Sequence, residues 1–306
     1  MTEPVLHHLS CPDAAGARRM AWWQWGDAAA PHGVVCVHGL SRQGRDFDTL
    51  ARTLLEQAHA RGQSLRVVCP DVAGRGESDW LPDPMRYQVS TYVADMLALL
   101  ARLHAQAPMQ ALDWVGTSMG GLIGMTVAGA PGLPLPVPVR RLVLNDVGPR
   151  VEWVALARIG QYLGKTGPFA TVEEGAAALR AISTGFGPHS DAEWLALSRP
   201  MLRAQPQGGW RLHYDPAIAV PLEGLTPEAL AAGEAALWPL YDAIAAPTLL
   251  LRGAQSDLLT AETASHMAAR GPKARVVTLA GVGHAPTLVA PDQTALVCDF
   301  LLSELA

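Results

Sequence analysis

The chain contains 306 residues, of which 49% are hydrophobic and 17% are charged. This composition excludes global disorder, because disordered chains are poor in apolar residues and rich in charge. The formal net charge is −5 and the sequence has no long basic run. We therefore expect no binding to nucleic acid, which requires clustered positive charge to neutralise phosphates.

The N-terminal region and the cysteines bear on where the protein resides. The first 20 residues contain several charged side chains and no continuous apolar segment, so we expect no signal peptide. The most apolar helical segment, residues 92–103, is interrupted by Asp95 and Arg102, so we expect no membrane-spanning segment. None of the four cysteines has CxxC spacing, which predicts buried free thiols rather than disulfides. These features predict a cytoplasmic protein without membrane contact.

Short runs rich in valine and leucine alternate along the sequence with longer segments of helical apolar spacing. Several of the short runs are apolar on both faces, as expected for parallel strands covered by helices. The alternation predicts an α/β fold with a doubly wound, mostly parallel sheet. Residues 21–26 predict an additional antiparallel edge strand. The short runs comprise residues 34–37, 65–69, 112–115, 142–144, 248–251 and 276–279, and the helical segments comprise residues 46–59, 90–106, 119–130, 261–269 and 292–305.

The strand pattern stops after Asp146 and resumes at Pro247. Between these positions, residues 153–163, 172–182 and 192–202 have helical spacing. We therefore predict a core formed by residues 1–148 and 237–306, with a helical cap or lid inserted at residues 149–236.

Residues 116–120, Gly-Thr-Ser-Met-Gly, match the G-x-S-x-G pattern. The pattern follows a predicted strand and begins a predicted helix, which is the context of a nucleophile elbow. Glycines on both sides of Ser118 allow two backbones to cross without Cβ clashes, and the helix N-terminus offers N–H groups to a developing oxyanion. Although a chance turn would explain the pentapeptide alone, the context predicts that Ser118 is a nucleophile.

Three further positions follow predicted strands. A loop at Leu40, in Val-His-Gly-Leu, can place its N–H opposite that of Met119, so that both point at one carbonyl oxygen. The preceding His38 is expected to pack against the core or to fix the loop. Asp257 and His284 each follow a strand, at the edge where parallel sheets build their sites. The order serine, aspartate, histidine differs from the orders in chymotrypsin and subtilisin.

Together these residues resemble the α/β-hydrolase superfamily, in the branch with a cap domain after the sixth strand. Residues 71–79 are similar to that branch's turn after the fourth strand, and Ser-Met-Gly-Gly at 118–121 resembles the elbows of bacterial esterases, enol-lactonases and carbon–carbon bond hydrolases. The resemblance implies that Ser118 is the nucleophile, His284 the base and Asp257 its orienting acid, with Leu40 and Met119 as oxyanion donors. It implies no metal and no organic cofactor. A serine at 118 disfavours dehalogenases and epoxide hydrolases, which use an aspartate.

A second acid is also possible. Asp146 ends another predicted strand, and some members of the superfamily take their acid from that location. We favour Asp257 because the turn after the penultimate strand is the commoner source. Asp146 would then lie at the hinge of the cap, or it would support the catalytic residues without taking part in the reaction.

The substrate is less sharply defined by the sequence. Aromatic residues in the insertion, Trp153 among them, suit an apolar lid, and Arg42 is a candidate for binding a substrate carboxylate. The leading hypothesis is a serine-dependent carboxylesterase acting on a small-molecule ester. The alternatives are a carbon–carbon bond hydrolase or enol-lactonase of aromatic degradation, and a non-catalytic receptor that retains the triad. Oligomeric state is left open.

Overall fold

A mostly parallel sheet of eight strands forms the centre of the structure, a computed structural model that describes residues 3–13 and 16–303. Its strands are β1 (Val5–Asp13), β2 (Gly16–Gly26), β3 (His32–Val37), β4 (Leu65–Asp71), β5 (Ala111–Thr117), β6 (Val139–Asn145), β9 (Thr248–Gly253) and β10 (Arg275–Leu279). Their order across the sheet is β1-β2-β4-β3-β5-β6-β9-β10. β1 pairs antiparallel with β2, and β2 pairs antiparallel with β4, whereas the other pairs are parallel.

Helices cover both faces of this sheet, and its central strands are therefore buried on both sides. One apolar cluster joins Trp114 of β5 to Leu99 and Ile123, and a second joins Val115 of the same strand to Leu54 and Leu301. Successive residues of a strand point to opposite faces, so the two clusters are the two layers of the core. The helices are α1 (Asp48–Ala60), α2 (Val89–Gln106), α3 (Met119–Gly129), α4 (Trp153–Tyr162), α5 (Val172–Ile182), α6 (Asp191–Ser198), α7 (Val220–Glu223), α8 (Pro227–Asp242), α9 (Ala261–Ala269) and α10 (Pro291–Leu302).

The doubly wound, mostly parallel sheet is confirmed, and all six predicted parallel strands are present. The prediction that residues 21–26 form an edge strand is wrong in one respect. They lie in β2, which is antiparallel as expected, but β1 pairs along its outer side and forms the edge itself. Most of β1 is not fully buried, so its polar sequence does not carry the apolar signal of a central strand.

The segment between β6 and β9 contains α4 to α7 and a short hairpin of β7 (Leu202–Ala204) and β8 (Trp210–Leu212). The third helix predicted here extends to residue 202, but α6 ends at Ser198, since Pro200 follows and the chain enters the hairpin. The predicted border between residues 236 and 237 falls inside α8. That helix packs tightly against α3, because a Cβ on Gly129 would lie 2.0 Å from the Leu240 carbonyl oxygen. We call residues 149–226, which precede α8, the cap.

The four cysteines are buried and free, as the spacing predicts. Across the described ranges, 3–13 and 16–303, we find no helix with the length and apolar character needed to span a bilayer.

Candidate active site

Ser118 lies in a sharp turn between β5 and α3, with φ at 51° and ψ at −118°. The turn depends on glycine. A Cβ on Gly116 would lie 2.3 Å from the carbonyl oxygen of Gly120, and one on Gly120 would lie 1.9 Å from that of Val37. The strand–turn–helix context and the need for both glycines therefore agree with the structure.

A hydrogen-bonded chain connects Ser118, His284 and Asp146. The Ser118 hydroxyl lies 3.0 Å from His284 Nε2, and His284 Nδ1 lies 2.8 Å from Asp146 Oδ2. Asp146 is fully buried, and its carboxylate also accepts from the Gly253 N–H at 2.8 Å and the Ser256 hydroxyl at 2.6 Å. With Nδ1–H donating to the carboxylate, Nε2 is the acceptor that faces the serine. This arrangement can take the hydroxyl proton during nucleophilic attack.

The expectation that Asp257 orients His284 disagrees with this geometry. Asp257 instead accepts two hydrogen bonds from Arg158, from Nε at 2.6 Å and Nη2 at 2.9 Å. Asp146 directly follows β6, whereas Asp257 comes four residues after β9 ends and extends toward the cap. Burial acts to raise the pKa of Asp257, but the hydrogen bond and charge of Arg158, together with the charge of His284, outweigh it and lower that pKa. The alternative acid, Asp146, is the one that meets the histidine.

The loop after β3 lies against the nucleophile turn. A Cβ on Gly39 would be 3.7 Å from Ser118 Cβ, and Leu40 lines the same cavity as Ser118. Arg75, which is fully buried, donates from Nε to the Leu40 carbonyl at 2.8 Å and from Nη2 to the Met119 sulfur at 3.7 Å. The structure thus brings both predicted oxyanion residues to Ser118, and one guanidinium contacts them both. Sequence analysis did not single out Arg75.

His38 fixes this loop, as expected. Its Nδ1–H donates to the Gly39 carbonyl at 2.7 Å, and its Nε2 accepts the Val72 N–H at 2.9 Å. Burial lowers the pKa of His38 to about 3, and the nearby Arg75 and Arg42 charges act in the same direction, against the hydrogen bond to Gly39. The imidazole is therefore neutral at physiological pH, in agreement with its two hydrogen bonds.

The two residues predicted to bind substrate have different positions. Arg42 lines the cavity, but it is paired with Asp46 through Nε and Nη2, both at 2.7 Å, and its guanidinium lies 5.5 Å from the Phe186 ring centre. Trp153 is 40% exposed and lines a separate groove with Leu156, so it does not face Ser118. The prediction for Trp153 is contradicted by this placement.

The cap supplies further cavity residues. Tyr162 and Phe186 are among the aromatic residues of the insertion that suit an apolar lid, whereas sequence analysis did not single out Arg158, because its apolar neighbours on α4 give no signal that marks it. The cap also contacts the histidine loop, since the Gly185 carbonyl accepts the Gly283 N–H at 2.6 Å and His189 Nε2 lies 2.8 Å from the Thr287 hydroxyl. The cap residues that line the cavity with Ser118 and His284 include Arg158, Ile159, Tyr162, Leu179, Ile182 and Phe186.

Over residues 3–13 and 16–303, no group of three or more histidine, cysteine, aspartate or glutamate side chains is arranged to hold a metal ion.

Comparison with known proteins decides the family. Residues 34–296 match the sequence model of the alpha/beta hydrolase family. The chain belongs to this family. It is 51% identical over 300 residues to a 3-hydroxybutyrate-oligomer hydrolase of Cupriavidus necator, covering 97% of each chain. The family resemblance and the fold class are thus confirmed, and the protein is a hydrolase.

Solved structures agree with this assignment. An alpha/beta hydrolase from Novosphingobium aromaticivorans is 36% identical, with a TM-score of 0.79 over 98% of this chain and 99% of that one. The thioesterase domain from the curacin biosynthetic pathway has 24% identity and a TM-score of 0.71, covering 98% of this chain and all of that domain. At that level of identity the similarity shows the fold alone.

Proposed function

We propose that the protein is a serine-dependent hydrolase that cleaves the ester bonds of short 3-hydroxybutyrate oligomers. The observation that carries this proposal is the hydrogen-bonded chain from Ser118 through His284 to Asp146, in a cavity beneath the cap. The substrate class is supported by the Cupriavidus necator relative, at 51% identity. Units of a 3-hydroxy acid are joined hydroxyl to carboxyl, so the bond to be cleaved is a carboxylic ester.

In the proposed first step, His284 Nε2 removes the Ser118 proton as Oγ attacks the ester carbonyl carbon. The carbonyl oxygen becomes an oxyanion, which accepts hydrogen bonds from the Leu40 and Met119 N–H groups. Asp146 stabilises the imidazolium that forms and holds it in the orientation needed for the next transfer.

Collapse of the tetrahedral intermediate breaks the bond to the alcohol oxygen. His284 gives its proton to that oxygen, and the alcohol leaves while the acyl group stays on Ser118. Water then attacks the acyl-enzyme carbonyl and gives a proton to His284. Collapse of this second intermediate breaks the bond to Ser118 Oγ, which takes the proton back from His284 as the acid is released.

The decisive experiment compares wild type and Ser118→Ala on linear 3-hydroxybutyrate dimer and trimer, an enol-lactone and a vinylogous diketone. We expect wild type to hydrolyse the oligomers, and Ser118→Ala to lose about 10⁴-fold or more in kcat. Circular dichroism and thermal unfolding establish that the variant is folded.

Other outcomes would contradict the proposal. Cleavage of the diketone or the enol-lactone without the oligomers would favour the carbon–carbon bond hydrolase or enol-lactonase alternatives. Tight retention of a ligand with negligible turnover would favour the receptor. Full oligomer turnover by Ser118→Ala would exclude this serine as nucleophile.

A further inference from the structure

Two arginines face the cavity that contains Ser118, and they differ in how far their hydrogen-bonding capacity is used. Arg42 is 11% exposed, pairs with Asp46 and also donates to the Leu197 carbonyl at 3.2 Å. Arg158 is 38% exposed, and its Nε and Nη2 atoms share a single carboxylate, that of Asp257. Because a guanidinium is a fork with five donors, a bidentate pair along Nε and Nη2 leaves the Nη1 side for a second carboxylate.

From its partner Asp257, we place Arg158 at the histidine end of the cavity. Its partner Asp257 directly follows Ser256, whose hydroxyl donates to Asp146, the carboxylate that holds His284. Consistent with this proximity, the charge of His284 contributes to lowering the pKa of Asp257, although burial opposes the shift. Tyr162, one turn along α4 from Arg158, lies within hydrogen-bonding reach of the guanidinium and lines the same cavity.

The chemistry of the reaction fixes which part of the substrate reaches this end. The leaving alcohol takes its proton from His284, so the leaving unit must lie beside the imidazole. In an oligomer of a 3-hydroxy acid, the carboxylate of the last unit is separated by one CH₂ group from the carbon that carries the ester oxygen. Only cleavage of the ester nearest the acid end therefore releases a unit with a carboxylate so close to the reacting oxygen.

We propose that Arg158, oriented by Asp257, binds the free carboxylate of the leaving unit and directs cleavage to the ester bond nearest the acid end. This inference rests on the function proposed above and adds to it a direction of cleavage. The oligomer would be shortened one hydroxy acid at a time from its carboxyl end. Arg42, whose charge faces Asp46 and whose face is covered by Phe186, has no part in this recognition.

The test uses a matched pair of substrates, the 3-hydroxybutyrate dimer with a free carboxylate and its methyl ester. Wild type should prefer the free acid. In Arg158→Gln, the ratio of kcat/KM for the acid to kcat/KM for the methyl ester should fall about 10- to 100-fold, as expected for the loss of charge-assisted hydrogen bonds. Arg158→Lys keeps the charge but not the fork, so its ratio should lie between those of wild type and Arg158→Gln.

Arg42→Gln is the matched control, because it removes the other arginine of the same cavity. We expect it to affect acid and methyl ester alike, which leaves the ratio unchanged. A second readout is the order of release from a trimer labelled with ¹³C in its acid-end unit. The first monomer released by wild type should carry the label.

The outcomes separate the inference from the function on which it rests. Equal losses on acid and methyl ester in Arg158→Gln, a selective loss in Arg42→Gln, or an unlabelled first monomer from wild type would each overturn the role of Arg158. None of these three results would contradict the proposed hydrolysis of 3-hydroxybutyrate oligomers. Failure of wild type to cleave any of these esters would instead overturn the proposed function, and this inference with it.

Discussion

Two aspartates lie near His284, and their surroundings suit them to different tasks. Asp146 is fully buried, and its carboxylate accepts from the histidine, from a backbone N–H and from the Ser256 hydroxyl. Asp257 is about one-third exposed, at 34%, and its two oxygens are engaged by Arg158. A carboxylate held rigidly against Nδ1 can stabilise an imidazolium, whereas one turned toward another cation cannot orient the ring.

We therefore expect Asp146→Asn to lower kcat for p-nitrophenyl butyrate by about 10³- to 10⁴-fold. The neutral amide neither favours the His284 tautomer with its proton on Nδ1 nor stabilises the imidazolium that forms during the reaction. Asp257→Asn, the matched control, should cost less than about tenfold, since it disrupts a partly exposed ion pair. Steady-state kinetics on this neutral ester keep carboxylate recognition out of the comparison. A larger loss in Asp257→Asn would return the acid role to that residue.

Arg75 is a buried cation that contacts the loop carrying Leu40 and the residue that follows Ser118. Its Nε donates to the Leu40 carbonyl, its Nη1 donates to the Ala73 carbonyl at 2.6 Å and the Tyr92 hydroxyl at 2.9 Å, and its Nη2 reaches the Met119 sulfur. A lysine ammonium has one nitrogen and cannot occupy these separated positions together.

Arg75→Lys should thus lower kcat for p-nitrophenyl butyrate on the order of tenfold or more, because a misplaced oxyanion donor stabilises the transition state less. It should also lower the free energy of unfolding by about 1–3 kcal/mol, the cost of unsatisfied buried groups. Urea unfolding and kinetics measure the two effects. Arg61→Lys, at a position where the side chain is 37% exposed, is the control. A stability loss with unchanged kcat would limit Arg75 to a structural role.

The secondary-structure elements differ in how well the sequence predicts them. Central strands such as β3 and β5 are buried on both faces, so each appears as a continuous apolar run. The edge strand β1 and the β7–β8 hairpin expose much of their sequence, and a polar segment of this kind resembles a loop.

The acid was the part of the site that sequence patterns did not resolve. β6 and β9 are neighbours, so the turns that follow them both end near His284. The choice depends on side-chain direction. Asp146 has φ at 57°, and Asp257 is drawn to Arg158, which lies 99 residues away in the sequence. A local pattern contains neither fact, whereas the elbow at Ser118 is encoded within five residues.

A 3₁₀ segment of the cap (Thr184–Phe186) contacts the loop that carries His284, because the Gly185 carbonyl accepts the Gly283 N–H. At Gly185 there is no room for a side chain, because a Cβ would lie 2.9 Å from both the backbone N and O of His284. One of the two segments would have to move to accept it. We therefore expect a displacement of this cap segment to shift the backbone of His284 and, with it, the imidazole.

Gly185→Ala should lower kcat for p-nitrophenyl butyrate by about 10- to 100-fold, because a displacement approaching 1 Å between base and nucleophile has effects of this size. Gly160→Ala is the matched control within the cap: it lies in α4, where a Cβ would meet nothing within 4 Å. We expect this variant to retain full activity and to gain up to about 1 kcal/mol in the free energy of unfolding. Equal activity of the two variants would show that cap seating and the histidine are not coupled.

One turn contacts both the cap and the loop that carries Leu40. Within residues 71–78, the Gly74 carbonyl accepts the Asp215 N–H of the cap at 2.7 Å, and the Gly76 N–H donates to the His213 carbonyl at 3.0 Å. The Tyr87 hydroxyl adds a hydrogen bond to the Asp215 carboxylate at 2.5 Å. Arg75 of the same turn donates to the Leu40 carbonyl, so this turn contacts both the cap and the loop that carries Leu40.

The pH dependence of the free energy of unfolding tests whether His38 is buried as a neutral imidazole in the folded protein. An unfolded histidine binds a proton with a pKa of about 6.5, whereas burial lowers the pKa of His38 in the folded protein to about 3. Between these values the unfolded chain binds the additional proton, so stability falls as pH falls.

In His38→Gln the side chain keeps a donor and an acceptor but does not titrate, and the other histidines contribute equally to both proteins. The difference in unfolding free energy between wild type and His38→Gln should therefore shrink by about 1.4 kcal/mol between pH 7.5 and pH 5.5. Urea unfolding at the two pH values measures this difference. A gap that stays constant or widens would mean that His38 takes up its proton in the folded state at the ordinary pKa or above it. In that case Nε2 would lose the lone pair that accepts the Val72 N–H, and the loop carrying Leu40 would be held differently from the way described above.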